Sequence, residues 1–249
     1  MTMITDLNGG GLTMVSPRRP GRVEPGRSAN FLSDGVLAAA PRGAGARSTA
    51  PQLEHGFTPL FDGVSTCNWD MAGNGHFVVV DGRLESVPAD DVGLFWCKIP
   101  TPRDFVLRLA WLRWRHEDAS GVFLRFPRPL SGGTGNAALA AMRQGFEVQI
   151  DEVGIPGATA IHKTGAIFNE PGQHVTPHPA LPAATWNTFE ITARDHYIGV
   201  RLNGRPVTAF TNLDPSRGQA SAPDAPSFVG LQVQPGSRIA FRDISIKPL

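Results

Sequence analysis

The chain has 249 residues, 41% of them hydrophobic, and 23 basic side chains offset 22 acidic ones for a net charge of +1. That balance argues against a nucleic-acid binder that works through a broad basic surface, and no apolar run of about 18 residues is present to cross a membrane as a helix. With 28 Gly and 22 Pro, both poor in helix interiors, a helical bundle is excluded and a turn-rich all-β domain is expected.

Residues 1–50 are rich in Gly, Pro and Arg and carry one aromatic side chain, Phe31. No strand or helix period persists there, so the segment buries too little apolar surface to offset its ordering entropy and is expected to be disordered. Its opening, Met1-Thr2-Met3-Ile4-Thr5-Asp6, resembles the leader of β-galactosidase carried on cloning vectors. It is therefore read as vector-derived or upstream sequence and set aside from the fold. Gly35 to Ala40 has the texture of the end of a signal peptide but lacks an adequate apolar core. The native protein could have been exported, and the compartment is left open.

From residue 51 the texture changes, and one domain is expected over 51–249. His76 to Val80 reads as a strand, Asp81-Gly82 as a tight turn and Arg83 to Val87 as its partner. Phe105, Leu107, Leu109 and Trp111 alternate with Val106, Arg108, Ala110 and Leu112, a long strand with one strongly apolar face. Gly121 to Phe126 and Gly145 to Asp151 are further strands; between them Ala137 to Arg143 is Ala-rich and suited to one or two helical turns. Trp186 to Arg194 pairs with Tyr197 to Leu202, and Asn203-Gly204 turns the chain into Pro206 to Phe210. Ser227 to Val233 and Arg238 to Ile246 close the series. About a dozen strands without a normal amphipathic helix predict two packed antiparallel sheets of jelly-roll type. One sheet face of such a sandwich often holds ligand.

The most informative stretch is Phe146-Glu147-Val148-Gln149-Ile150-Asp151. Period two puts Glu147, Gln149 and Asp151 on one face and the apolar residues on the other. Two carboxylates and an amide in a row can bind sugar hydroxyls, ligate calcium or perform acid–base work; equally, they suit the solvated outer face of a sheet. Arg125 shares its strand face with Phe123, so its guanidinium should seek carboxylates, with Glu147 or Asp151 as partners, either as a structural ion pair or as a cation in a cleft. His162 and Lys163 are adjacent, so only one of them can reach a given pocket. Trp69 and Trp96 lie near turns and fit either core packing or a sugar-stacking platform. Cys67 and Cys97, the only cysteines, read as free thiols, although one disulfide is open. No P-loop, dinucleotide fingerprint, G-x-S-x-G or H-E-x-x-H occurs.

Several segments, in order, resemble the 3-keto-disaccharide hydrolase domain family. They are Phe57-Thr58-Pro59-Leu60-Phe61-Asp62-Gly63 with Trp69, Phe77 to Gly82, Asp104-Phe105-Val106-Leu107 and Ser120-Gly121-Val122-Phe123-Leu124-Arg125. Gly145 to Asp151, Thr164 to Phe168, Leu202-Asn203-Gly204, Gly230-Leu231-Gln232 and Phe241-Arg242-Asp243-Ile244 continue the match to the end of the chain. The resemblance implies a concanavalin-like jelly roll and a bacterial enzyme that cleaves 3-keto-glycosides. In that chemistry a separate oxidoreductase first makes the ketone at C3, which acidifies the C2 hydrogen. A base removes it, the C1 substituent is expelled, and water adds.

For that chemistry the shared strand face points to Glu147 or Asp151 as base and acid, with Gln149 as an orienter of hydroxyls. Arg125 or Lys163, or a divalent metal such as calcium held by the carboxylates, would face the enolate. Trp69, Trp96 and His162 complete the candidate substrate contacts. No cofactor is certain, and the expected partner is a carbohydrate, with no nucleic acid and no membrane. One stretch departs from the family: where members often carry Asn-His-Gly or Asp-His-Gly, Val233-Gln234-Pro235-Gly236 stands here. The alternatives are a lectin-like carbohydrate-binding module and a laminarinase-type glycosidase, whose alternating carboxylates would have Gln149 in the middle.

Overall fold

The computed structural model describes residues 54–129, 135–218 and 222–249; the stretch expected to be disordered and residues 130–134 lie outside the described residues. In chain order the strands are β1 (Thr58–Pro59), β2 (Trp69–Gly73), β3 (His76–Val80), β4 (Arg83–Val87), β5 (Gly93–Cys97), β6 (Phe105–Arg113) and β7 (Ser120–Phe126). Helix α1 (Gly135–Gln144) follows, then β8 (Phe146–Ile150), β9 (His174–Val175), β10 (Asn187–Arg194), β11 (Tyr197–Leu202), β12 (Arg205–Thr211), β13 (Phe228–Val233) and β14 (Ile239–Pro248). The helix is longer than the one or two turns expected, because Ala138 and Ala141 bury against a sheet face, and tertiary packing extends it.

All the strand pairs are antiparallel. One sheet runs β3-β4-β14-β6-β10-β11-β12-β9 with β1 on β14, and the other runs β2-β5-β13-β7-β8. The result is the two-sheet sandwich that the strand pattern predicted. Two of its hairpin turns are made by paired left-handed residues: Asp81 (φ 47°) with Gly82 (φ 79°), and Asn203 (φ 49°) with Gly204 (φ 78°). Such turns match the twist of the flanking strands, which is why Asp-Gly and Asn-Gly mark them.

The core lies between the sheets. Phe105, Leu107, Leu109 and Trp111 of β6 meet Val122 and Leu124 of β7, Phe146, Val148 and Ile150 of β8, and Val229, Leu231 and Val233 of β13. Burying each such side chain is worth roughly 1.5–3 kcal/mol, so the alternation along β6 and β8 fixes which face of each sheet turns inward.

A second, smaller apolar cluster sits on the opposite face of the five-stranded sheet. There α1, through Ala138 and Ala141, covers Ala72, Leu94, Trp96, Phe123, Phe126 and Phe228. The free edge of β8 is closed by the segment 164–168: the Gly165 and Phe168 amides donate to the Gln149 and Glu147 carbonyls at 2.8 and 2.9 Å, and the Gln149 amide donates to the Ala166 carbonyl at 2.9 Å. An exposed edge is thereby removed, and the strand that carries the polar row is held on both sides.

Candidate active site

β8 turns Phe146, Val148 and Ile150 into the core, so Glu147 and Gln149 face away from it. Across the strands Glu147 stands opposite Phe123 and Gln149 opposite Gly121. Continuing the first row, Phe123 faces Gly230, Gly230 faces Trp96 and Trp96 faces Asp70. The polar end of this face is therefore at β8, beside an aromatic stretch that α1 covers.

Glu147 is half-buried, yet its Oε1 is closed to solvent and has no hydrogen-bond partner among the described residues. The carboxyl leans along β7 onto the bare backbone of Gly121. Burial disfavours the charged form, and the charge of Asp151 on the same side disfavours it further, so the Glu147 pKa is pushed up to about 8. A carboxyl with this value is mostly protonated at neutral pH and, when ionised, is a stronger base than an ordinary carboxylate.

Asp151 follows β8 directly. Its Oδ1 accepts the Val153 and Gly154 amides at 2.8 and 2.7 Å, and its own amide donates to Thr164 Oγ1 at 2.9 Å. The turn it caps is held from the other side by Lys163, whose Nζ donates to the carbonyls of Glu152 (2.9 Å) and Val153. Lys163 thus serves backbone oxygens rather than presenting a free cation to the Glu147 face. His162 ends a short 3₁₀ turn (Ala160–His162); its Nδ1 lies 3.0 Å from the Thr159 amide, and its ring packs edge-on against Phe168.

Three further expectations are corrected. Arg125 does not pair with Glu147 or Asp151. It lies in a bulge with φ 56°, pairs with Asp104 at 3.6 Å, and donates to the carbonyls of Arg103 (3.2 Å) and Asp195. The left-handed residue breaks the two-residue period, so Phe123 and Phe126, three apart, share one cluster while Arg125 turns to the sheet rim. Trp69 is a core residue stacked on Phe95 at 5.1 Å, with its Nε1 donating to the Leu60 carbonyl at 2.8 Å. Trp96 is 3% exposed, packed edge-on against Phe228 and overlaid by Arg128. Neither tryptophan offers an open ring to a sugar.

The buried cation at the Asp151 end is Arg113, which the sequence reading passed over. It is 1% exposed, donates to the carbonyls of His116 and Leu181, and feels the charges of Glu152, Asp151 and Asp118. Burial, the larger effect, still moves its pKa down. A signal was available: Arg113 continues the odd-numbered, inward-facing series Phe105, Leu107, Leu109, Trp111.

Among the described residues, no three His, Cys, Asp or Glu side chains gather in a group that could hold a metal ion. Glu147 and Asp151 alone do not make a calcium site, which takes six to eight oxygens, so no step is derived through a metal. Cys67 is exposed and Cys97 buried, and both are free.

Residues 56–247 match the model of the family described as 3-keto-alpha-glucoside-1,2-lyase-like domain. Two solved structures of candidate glycosyl hydrolases from Parabacteroides distasonis superpose on the chain with TM-scores of 0.58 each. They are 19% and 24% identical, each covering 78% of this chain, and 94% and 99% of their own. A Bacillus subtilis protein of unknown function with a galectin-like fold superposes with TM-score 0.52 at 13% identity, covering 77% of this chain and 94% of its own. At these identities the superpositions speak for the sandwich fold alone. No curated protein sequence matches the chain.

Proposed function

Because the chain belongs to the 3-keto-alpha-glucoside-1,2-lyase-like domain family, we propose that it cleaves 3-keto-glycosides by proton abstraction at C2, elimination at C1 and hydration. The observation that carries this reading is the unpartnered, solvent-shielded Oε1 of Glu147 on a sheet face.

The C3 ketone lets the C2–H electron pair delocalise into an enolate. Glu147, when ionised, takes that proton, and its raised pKa narrows the gap to the carbon acid. The neutral carboxylic acid so formed is the state that its buried setting favours. The enolate re-forms the ketone as the C1–O bond breaks, leaving a C1–C2 double bond, and the proton held on Glu147 is available to the departing oxygen. Water then adds, hydroxyl to C1 and hydrogen to C2, and the product is a 3-keto sugar with the free alcohol. Gln149, on the same face, is assigned to the sugar's oxygens. Asp151, engaged with two backbone amides, acts on Glu147 through its charge. Arg125 and Lys163 drop out of the enolate role because their donors serve Asp104 and backbone carbonyls. The ketone itself must come from an oxidoreductase acting on the parent glycoside.

A second reading, sugar binding without turnover, is favoured by Val233-Gln234-Pro235-Gly236 in place of the family's histidine tripeptide. The test is release of the aglycone from a 3-keto-glucoside. The enzyme reading expects turnover by the native chain and at least a hundredfold loss in Glu147→Gln. Binding of the keto sugar without any release would support the second reading.

A further inference from the structure

Gly121 has no backbone reason to be glycine, since its φ lies outside the left-handed region that side-chain-bearing residues avoid. A strand interior ordinarily disfavours glycine, which adds entropy cost and contributes no packing. The reason is spatial. A Cβ at this position would fall on Glu147 Oε1 and 2.6 Å from both Cγ and Cδ of the same side chain. The carboxyl of Glu147 occupies the place a side chain at residue 121 would fill.

From this we infer that Gly121 is a positioning residue: by leaving its place on β7 vacant, it lets the Glu147 carboxyl lie down on the sheet with Oε1 out of water, and so sets the pH window of the reaction. The inference rests on the catalytic reading of Glu147 for its link to the reaction, but the positioning itself stands on geometry.

The charged groups around Glu147 leave the effect to this contact. Asp151, after β8, acts on it in the direction of the neutral form. Arg125 of β7 is turned to Asp104, Lys163 to backbone carbonyls, and Asp70 of β2 and Arg143 of α1 are exposed. The obstructed atoms belong to the far end of a flexible side chain, so Gly121→Ala should fold, with the carboxyl swung outward into water rather than the sheet forced apart.

The experiment is a carboxyl-carbon NMR titration of glutamate-labelled protein, native and Gly121→Ala, beside the pH–rate profile on a 3-keto-glucoside. The native chain should show one glutamate titrating near 8, assigned by its loss in Glu147→Gln. In Gly121→Ala its midpoint should fall toward the ordinary value of about 4.5, and the rising limb of kcat should move down with it. A midpoint that stays put in folded Gly121→Ala overturns the inference. A midpoint that falls while neither protein turns over the keto sugar supports the positioning and sinks the catalytic reading.

A second measurement covers a poorly folding variant. Gly121→Ala is compared in the native and Glu147→Ala backgrounds. The alanine should be better tolerated, with a higher Tm relative to its own parent, once the Glu147 side chain is gone. Equal Tm changes in the two backgrounds overturn the inference.

Discussion

Arg113 and Glu152 grip the two polar backbone groups of one residue: the guanidinium donates to the Leu181 carbonyl at 2.9 Å, and the Leu181 amide donates to the Glu152 carboxylate at 3.1 Å. The pair ties the end of β6 to the segment after β8 and to the long connection that leads into β10. Arg113 Nε and Glu152 Oε1 have no further hydrogen-bond partner among the described residues, and the two groups are linked through Leu181 rather than by a direct ion pair. Removing the guanidinium leaves the His116 and Leu181 carbonyls without their donor. Arg113→Met should therefore cost about 1–3 kcal/mol of stability, read as a lowered denaturation midpoint. The double variant Arg113→Met/Glu152→Gln should recover part of that loss. A single variant as stable as the native chain would show the pair to be idle.

Glu147 makes stability depend on pH in a defined direction. Its folded value of about 8 lies above the unfolded value near 4.5, so between those values the folded chain holds more protons than the unfolded one. Stability contributed by the neutral carboxyl is fully present below about pH 4.5 and is lost as pH rises through about 8. Urea denaturation across this range should show a falling limb in the native chain. In Glu147→Gln that limb should be absent; an identical limb in both would place the titration elsewhere.

Trp69 is a matter of packing. Its ring stacks on Phe95, and its Nε1 is satisfied by the Leu60 carbonyl. Trp69→Ala should cost about 3–5 kcal/mol of stability and leave the sugar affinity of the folded protein unchanged by calorimetry. A variant that stays stable but loses sugar binding would return Trp69 to the role of a stacking platform.

Arg125 is likewise structural. The side chain is 3% exposed, and its ion pair with Asp104 and its carbonyl partners hold the rim where the β5–β6 connection meets the β10–β11 turn. Arg125→Met should lower Tm by several degrees, in line with about 1–3 kcal/mol for leaving the Asp195 and Arg103 carbonyls without their donor, while the pH dependence of any keto-sugar turnover stays where it was. A shifted pH profile with an unchanged Tm would place Arg125 at the reacting centre.

The sandwich was legible because its signals are local and repeated. Asp81-Gly82 and Asn203-Gly204 name their turns, and the alternation in β6 and β8 names the buried face. The row of Glu147 and Gln149 follows from that same period. What escaped depends on contacts distant in sequence or on one irregular residue. Arg125 was placed by strand period, and a single left-handed φ of 56° undid it. Arg113 sits in phase with apolar residues, so its burial could have been read from β6, but its carbonyl and carboxylate partners come from loops that no pattern on β6 reveals. The aromatic character of Trp69 and Trp96 suited platform and core equally; only packing against Phe95 and Phe228 separates the two. The vacant place at Gly121 is visible only once β7 and β8 are in register.

The central claim is that Glu147 takes the proton from C2 of a 3-keto-glycoside, and isotope incorporation tests it most directly. In D2O, with a 3-keto-glucoside as substrate, the native chain should place solvent deuterium at C2 of the released sugar, seen by NMR, and Glu147→Gln should not. Aglycone release by Glu147→Gln at the native rate, with deuterium at C2 as before, would contradict the account.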